Sequence, residues 1–294
     1  MWRDTRLFGR VLSAMCTEAL LAGIEPEYVR SLIRRLDLRP VSPDDEAWPW
    51  PVKIYTLGRF EILRDGRLLE FPHKAPRKQL LVLKALLAFG GRDVPARRIA
   101  DAIWPDQEGD AGWRALGVNL ARLRTLLRSQ DAITLSDERI SLNPDRCWWD
   151  ARAFERLSAE RLAPVRSGEL LALYRGPFLA GDADQPWTVP LRERLRTRFA
   201  AHLQCSAAGL EADGGWAEAV ALYLRGIESD ELSEEFYQGL MRCYRQLGRA
   251  AEGLAVYRRL RQVLSVLLGI APSAESDALY RSLSELGTSQ PARA

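Results

Sequence analysis

Residues 114–127 read Arg114-Ala-Leu-Gly-Val-Asn-Leu-Ala-Arg-Leu-Arg-Thr-Leu-Leu127. Leu116, Leu120, Leu123 and Leu127 recur at the spacing of a single helical face, so the stretch predicts an amphipathic helix, extended by its flanks to about 110–128. With those leucines inward, helical geometry is expected to turn Arg114, Ala115, Val118, Asn119, Arg122 and Thr125 outward. Gly117 is a poor helix former, about 1 kcal/mol worse than alanine, and its presence suggests a close approach to the backbone there.

Working outward, two further helices precede this one. Leu80, Leu83 and Leu87 place an amphipathic helix from about Pro76 to Phe89, stopped by Gly90-Gly91, and a shorter one runs from Pro95 through Ile99 and Ile103 to Trp104-Pro105. Upstream of these the period changes to β-type, with Ile54, Leu57, Phe60, Ile62, Leu68 and Phe71 in short runs broken at Gly58 and Asp65-Gly66. Downstream, Ile133–Leu135 and Arg139–Leu142 flank Ser136-Asp137-Glu138 as a β-hairpin. Strands, three helices and a hairpin make the layout of a winged helix-turn-helix.

The outer regions differ from this middle. Leu7, Val11 and Met15, then Tyr28, Leu32 and Leu36, predict two short helices, and Pro40, Pro43, Pro49 and Pro51 with Asp44-Asp45-Glu46 have the composition of a linker. From Trp148 onward the chain is expected to be helical. Gly215-Trp-Ala-Glu-Ala-Val-Ala-Leu-Tyr223 is echoed by Arg249-Ala-Ala-Glu-Gly-Leu-Ala-Val-Tyr257 at a period of 34, that of tetratricopeptide helix pairs. Tyr223, Tyr237, Tyr244, Tyr257, Trp187 and Trp216 are read as packing residues. The expected division is a helical N-terminal segment and linker over 1–47, a winged helix over 48–146, a tetratricopeptide-like module over 147–286 and a disordered tail over 287–294. The fold class is mainly α, with small antiparallel sheets in the winged helix.

The helix at 114–127 resembles the recognition helix of OmpR/PhoB-type winged helices, in its polar start, alternating apolar positions and Arg-Leu-Arg. The helical half is similar to the bacterial transcriptional activator domain of antibiotic-regulatory-type activators. The matching stretches are Trp149-Asp-Ala-Arg-Ala-Phe-Glu-Arg-Leu157, Leu173-Tyr-Arg-Gly-Pro-Phe-Leu179, Leu240-Met-Arg-Cys-Tyr-Arg-Gln-Leu-Gly248 and Tyr257-Arg-Arg-Leu-Arg-Gln-Val-Leu264. The resemblance implies an activator that binds double-stranded promoter DNA and whose helical module contacts its own winged helix, another subunit or RNA polymerase, with a homodimer on DNA as a further expectation. Arginine pairs with guanine, asparagine with adenine, and Val118 offers a methyl surface to thymine. Arg124, Arg128, Lys74, Arg77 and Lys78 are expected on phosphates, and Arg139 resembles the wing residue that reaches the adjacent minor groove.

Bulk properties agree with this reading. A chain of 294 residues is long enough for two domains, and 47% apolar with 28% charged residues is an ordinary globular composition. Residues 53–142 hold 16 Lys/Arg against 11 Asp/Glu, concentrating positive charge in the segment that would face phosphate. Arginine is nonetheless the default cation everywhere, with four lysines among 42 basic residues, and most such faces are simply solvated. The dense arginines at 192–198 and 258–261 are expected to be solvated, partly paired with Glu193 and Glu252.

No apolar run approaches the roughly 20 residues that a membrane helix needs, and Asp4, Arg6, Arg10 and Glu18 break up any signal-peptide core, so the expected location is the cytoplasm. Cys16, Cys147, Cys205 and Cys243 are scattered, so buried free thiols are expected and no metal or cofactor site is suggested. His73 and His202 are the available neutral-pH bases, no nucleophile or zinc-protease motif surrounds them, and no Gly-Lys pair exists for a P-loop, which argues against an enzyme. The remaining alternative is an adaptor that binds protein through its helical repeats and uses the winged helix as a docking surface.

Overall fold

The computed structural model describes residues 4–71, 75–107, 110–159 and 164–289. They fall into two compact units, Met1–Glu160 with Leu173–Leu195, and Arg161–Ala172 with Arg196–Ala294.

The first unit opens with α1 (Asp4–Leu21) and α2 (Pro26–Arg35), the latter started by a proline whose fixed φ suits a first helical turn. Their buried side is Cys16, Val29 and Ile33, whereas Val11, Met15, Tyr28 and Leu36 of the sequence stripes face solvent. The proline-rich stretch after them does not behave as a free tether. Trp48 and Trp50 are buried, the Trp50 indole donates to the Asp45 carbonyl at 2.8 Å, and the Trp148 indole donates to the Asp44 carbonyl at 3.2 Å.

β1 (Val52–Tyr55), β2 (Glu61–Arg64) and β3 (Arg67–Leu68) form an antiparallel meander. Its second turn is made by Asp65 and Gly66, both at positive φ, the conformation that a two-residue hairpin demands. On the other side of β1 lies β7 (Cys147–Trp149), in parallel, giving the order β3-β2-β1-β7. That parallel strand is a departure from the purely antiparallel expectation. The same edge continues where Leu179 donates to the Thr56 carbonyl at 2.8 Å and Gly58 to that of Pro177 at 3.0 Å. A Cβ on Gly58, which sits at φ +82°, would lie 2.6 Å from the Arg175 carbonyl oxygen, so only glycine permits this approach.

After the meander, α3 (Arg77–Ala88), α4 (Ala96–Ile103) and α5 (Asp110–Leu127) pack on one another, with Val82, Leu83, Leu86, Ile99, Leu116 and Leu123 buried. A second sheet of β4 (Val94–Pro95), β5 (Ile133–Ser136) and β6 (Arg139–Leu142) follows, antiparallel in the order β4-β6-β5. Its β5–β6 hairpin turns through Asp137 and Glu138 in left-handed conformation. These elements are those of a winged helix-turn-helix.

α6 (Asp150–Ala159) begins on a buried carboxylate. Asp150 accepts from the Thr56 amide and hydroxyl, and from the amides of Leu57 and Ala151, at 2.6–2.9 Å. Burial pushes its carboxyl up to about 6, against the downward pull of those donors. Lys84 of α3 is clamped by both Asp182 oxygens at 2.7 and 2.8 Å, over the Phe60 ring.

α7 (Pro164–Leu173) follows α6, and α8 (Val189–Ala212) belongs to the first unit through Leu195. The second unit continues with α9 (Trp216–Ser229), α10 (Glu234–Gln246), α11 (Ala250–Leu267) and α12 (Ala274–Ser289). α9 and α11 start 34 residues apart, in phase with the sequence repeat. Glycines let these helices close on one another. A Cβ on Gly226 of α9 would stand 2.4 Å from the Phe236 ring of α10, and one on Gly239 of α10 2.3 Å from the Tyr223 ring of α9. A Cβ on Gly253 of α11 would stand 2.7 Å from the Leu283 side chain of α12.

Tyr223, Tyr237, Tyr244 and Tyr257 are buried as packing residues, while Trp187 and Trp216 are half-buried. Helix α12 extends past residue 286 into the stretch expected to be disordered. Cys16, Cys147 and Cys243 are buried free thiols, and burial pushes the latter two up to about 12. Cys205 is exposed, against expectation. Among the described residues no helix is long and apolar enough to cross a membrane, and no group of three His, Cys, Asp or Glu could hold a metal ion.

Candidate nucleic-acid interface

α5 is anchored by Leu116, Leu120, Leu123 and Leu127, none more than 2% exposed. Opposite that stripe, Arg114, Val118, Arg122 and Thr125 are exposed and Ala115 is half-buried. The Thr125 hydroxyl donates to the Ala121 carbonyl at 3.1 Å, within its own helix. Gly117 is also exposed, and a Cβ there would meet nothing within 4 Å, so the expected close approach does not exist within the chain.

Asn119 is the exception on the expected outward face, being only 9% exposed. Its Nδ2 donates to the Ala115 carbonyl at 2.8 Å, and its Oδ1 accepts from Gln79 Nε2 of α3 at 2.8 Å. The register contains the signal. Leu116, Asn119, Leu120 and Leu123 complete the i, i+3, i+4, i+7 pattern of a buried face, so position 119 borders the core. Gln79, also 9% exposed, is a partner that sequence reasoning missed, because nothing local links positions 40 apart.

The cations divide into exposed and engaged groups. Arg77 and Lys78, on the first turn of α3, are exposed, and Lys78 Nζ stands 5.9 Å from the centre of the Trp104 ring. They border a cleft of about 450 Å³ whose other walls are Ala75, Gln79, Asn119 and Arg122, so the structure brings the α3 cations and Arg122 to one opening. Lys74 lies outside the described residues, as does His73. Arg128 is exposed at the end of α5, in left-handed conformation.

Arg124 does not project freely, because its Nε donates to the Ile133 carbonyl at 2.9 Å and ties α5 to the hairpin. Arg139 is exposed but engaged with Asp93, at 2.9 Å to the carbonyl and 3.1 Å to the carboxylate. The hairpin tip beside it is acidic, with Asp137 and Glu138 both exposed. A larger cleft of about 600 Å³ has Arg97, Asp101, Trp104, Trp113 and Glu138 in its walls, a mixed set less suited to phosphate.

The arginines of α8 hold structure together, where solvation was expected. Arg192 donates to the carbonyls of Phe178 and Leu179 at 2.9 and 3.0 Å, Arg194 meets Glu155 at 2.9 Å, and Arg196 pairs with Asp230.

Known proteins with similar sequences or structures bear on the whole arrangement. The chain is 28% identical over 248 residues to the regulatory protein AfsR of Streptomyces griseus, and 29% identical over 247 residues to AfsR of Streptomyces coelicolor. Each alignment covers 80% of this chain and 24% of the relative, so the chain spans about a quarter of those proteins. Among solved structures, Mycobacterium tuberculosis EmbR in complex with a low-affinity phosphopeptide is similar in fold, with a TM-score of 0.61 and 21% identity. That superposition covers 83% of this chain and 66% of EmbR. Residues 149–284, a little under half of the chain, match the bacterial transcriptional activator domain.

Proposed function

We propose that the chain is a transcriptional activator whose winged helix, of the OmpR/PhoB type, reads double-stranded promoter DNA. In this reading residues 48–146 form the DNA-binding part and 147–286 the activator module, with RNA polymerase and a second copy on adjacent DNA as its partners. The observation that carries it is the exposed file of Arg114, Val118 and Arg122 on a leucine-anchored helix, next to a cleft bordered by Arg77 and Lys78. A major groove admits such a helix, and arginine is the best reader of guanine. Arg77, Lys78 and Arg128 serve as phosphate contacts that set the register. Hairpin β5–β6 then comes to the neighbouring minor groove, where Arg139 is its cation, released from Asp93 on binding.

Selecting bound sequences from random duplexes with the purified chain tests this directly. A recovered motif is expected, with log K falling against log salt at about 0.9 per phosphate neutralised. Arg122→Ala is expected to weaken specific binding by about 1 to 3 kcal/mol and to relax the motif at one position. An unchanged motif and affinity in that variant would remove direct readout by this helix.

A protein adaptor is the second reading, favoured by the apolar residues Val266, Leu267, Leu268 and Ile270, all about half exposed or more at the end of α11. A flat salt response and no selected motif would decide for it.

A further inference from the structure

We propose that Asn119 is a positioning residue, withdrawn from the DNA and latched to Gln79, and that base reading belongs to Arg114, Val118 and Arg122 alone. The inference rests on the DNA-binding reading above and deepens it. An asparagine reads adenine by accepting from N6 and donating to N7, with both ends of its amide aimed at one base edge. Here each end already carries one bond within the chain, and those two bonds fix where the amide points. The Ala115 carbonyl can only accept, so Nδ2 must face it, which leaves Oδ1 for Gln79 Nε2. Turning the amide to a base would break both bonds at a site where each residue is only 9% exposed.

The latch also sits where it has leverage. Elsewhere α3 and α5 are packed neighbours whose leucines 83, 86, 116 and 123 are buried, and apolar packing specifies distance better than rotation. The Gln79–Asn119 bond is directional, and both its residues line the cleft that Arg77, Lys78 and Arg122 also border. It therefore sets the offset between the cations that would grip phosphate and the helix face that would enter the groove.

The remaining readers have a defined spacing. Arg114 and Arg122 are eight residues apart, or about 12 Å along the helix. At about 3.4 Å per base pair that spans three to four base pairs. The favoured half-site is thus two guanines at that separation, with a thymine methyl between them against Val118, and no adenine assigned to Asn119.

Random-duplex selection with the full chain, as wild type, Asn119→Ala, Gln79→Ala and the double variant, separates the possibilities. Each single substitution is expected to weaken specific binding about tenfold, as loss of one hydrogen bond would. The double variant should be no weaker than either single, and every base preference should persist. The exchange of partners, Gln79→Asn with Asn119→Gln, should restore binding to within about threefold. A second measurement needs no variant, because the side-chain amide resonances of Asn119 should exchange slowly and stay in place when the selected duplex is added.

Loss of preference at a single A·T position in Asn119→Ala, with that position intact in Gln79→Ala, would overturn the proposal. So would an Asn119 amide shift as large as that of the Arg122 guanidinium. If the wild-type chain selects no motif at all, the DNA-binding reading itself falls, a result distinct from either of these.

Discussion

Asp150→Ala is expected to lower the unfolding free energy by about 3 to 5 kcal/mol, measured by urea titration at neutral pH. Asp150 and Thr56 are 2% and 0% exposed, and the carboxylate is the acceptor for the amides of Thr56 and Leu57. Two buried donors would then lack acceptors, each at about 1 to 3 kcal/mol. The loss should appear as a lower midpoint with an unchanged denaturant slope. A change below about 1 kcal/mol would show that the β1 end opens to water and that the carboxylate holds little.

The same residue gives a pH dependence with a defined sign. An aspartate in the unfolded chain titrates near 3.9, and in the fold burial pushes Asp150 up to about 6. Between those values the folded state binds a proton that the unfolded state does not. Stability from this group is therefore fullest below about pH 4 and declines as pH rises through about 6. Asp150→Asn, which cannot titrate, should flatten that part of the stability profile.

Gly239→Ala is expected to destabilise the second unit by about 3 kcal/mol, the upper range for forcing a methyl group into a closed interface. The added carbon would stand 2.3 Å from the Tyr223 ring, and that ring is held at its far end by a hydrogen bond from its hydroxyl to Glu211 at 2.5 Å. Accommodation would have to come from α9 and α10 moving apart. Phe236 seated on Gly226 in the reciprocal direction resists that movement. Adding Tyr223→Leu to Gly239→Ala should recover part of the loss in a thermal melt. No recovery would show that the strain lies elsewhere than in this glycine–aromatic contact.

Elements with a long internal period were legible from residues alone. The leucines at 116, 120, 123 and 127 marked α5, Gly90-Gly91 ended α3, and the 34-residue echo found the α9 and α11 starts. Of the elements of two or three residues, β3 was announced by the Asp65-Gly66 turn, but β4 and β7 were not. β4 has no room to show alternation, and β7 is recognisable only through β1, nearly a hundred residues earlier. The interface was legible to the same degree. Arg114, Val118 and Arg122 followed from helical phase, and the same phase marks Asn119 as bordering the core, whereas its partner Gln79 lies in another helix. Engagement of Arg124 by Ile133 and of Arg139 by Asp93 likewise arises from tertiary neighbours that no local pattern announces.

The parallel strand at 147–149 also bears on how regulators of this kind exchange parts. It straddles the start of the activator-domain match at Trp149, yet it completes the sheet of the β1–β3 meander, and residues 177–179 bond to the chain just after β1. A hybrid gene spliced at codon 146 would strip β1 of its neighbour and orphan the amides that Asp150 receives. An exchange that preserves the sheet must therefore keep residues 147–150 and 177–179 together with the meander they bond to.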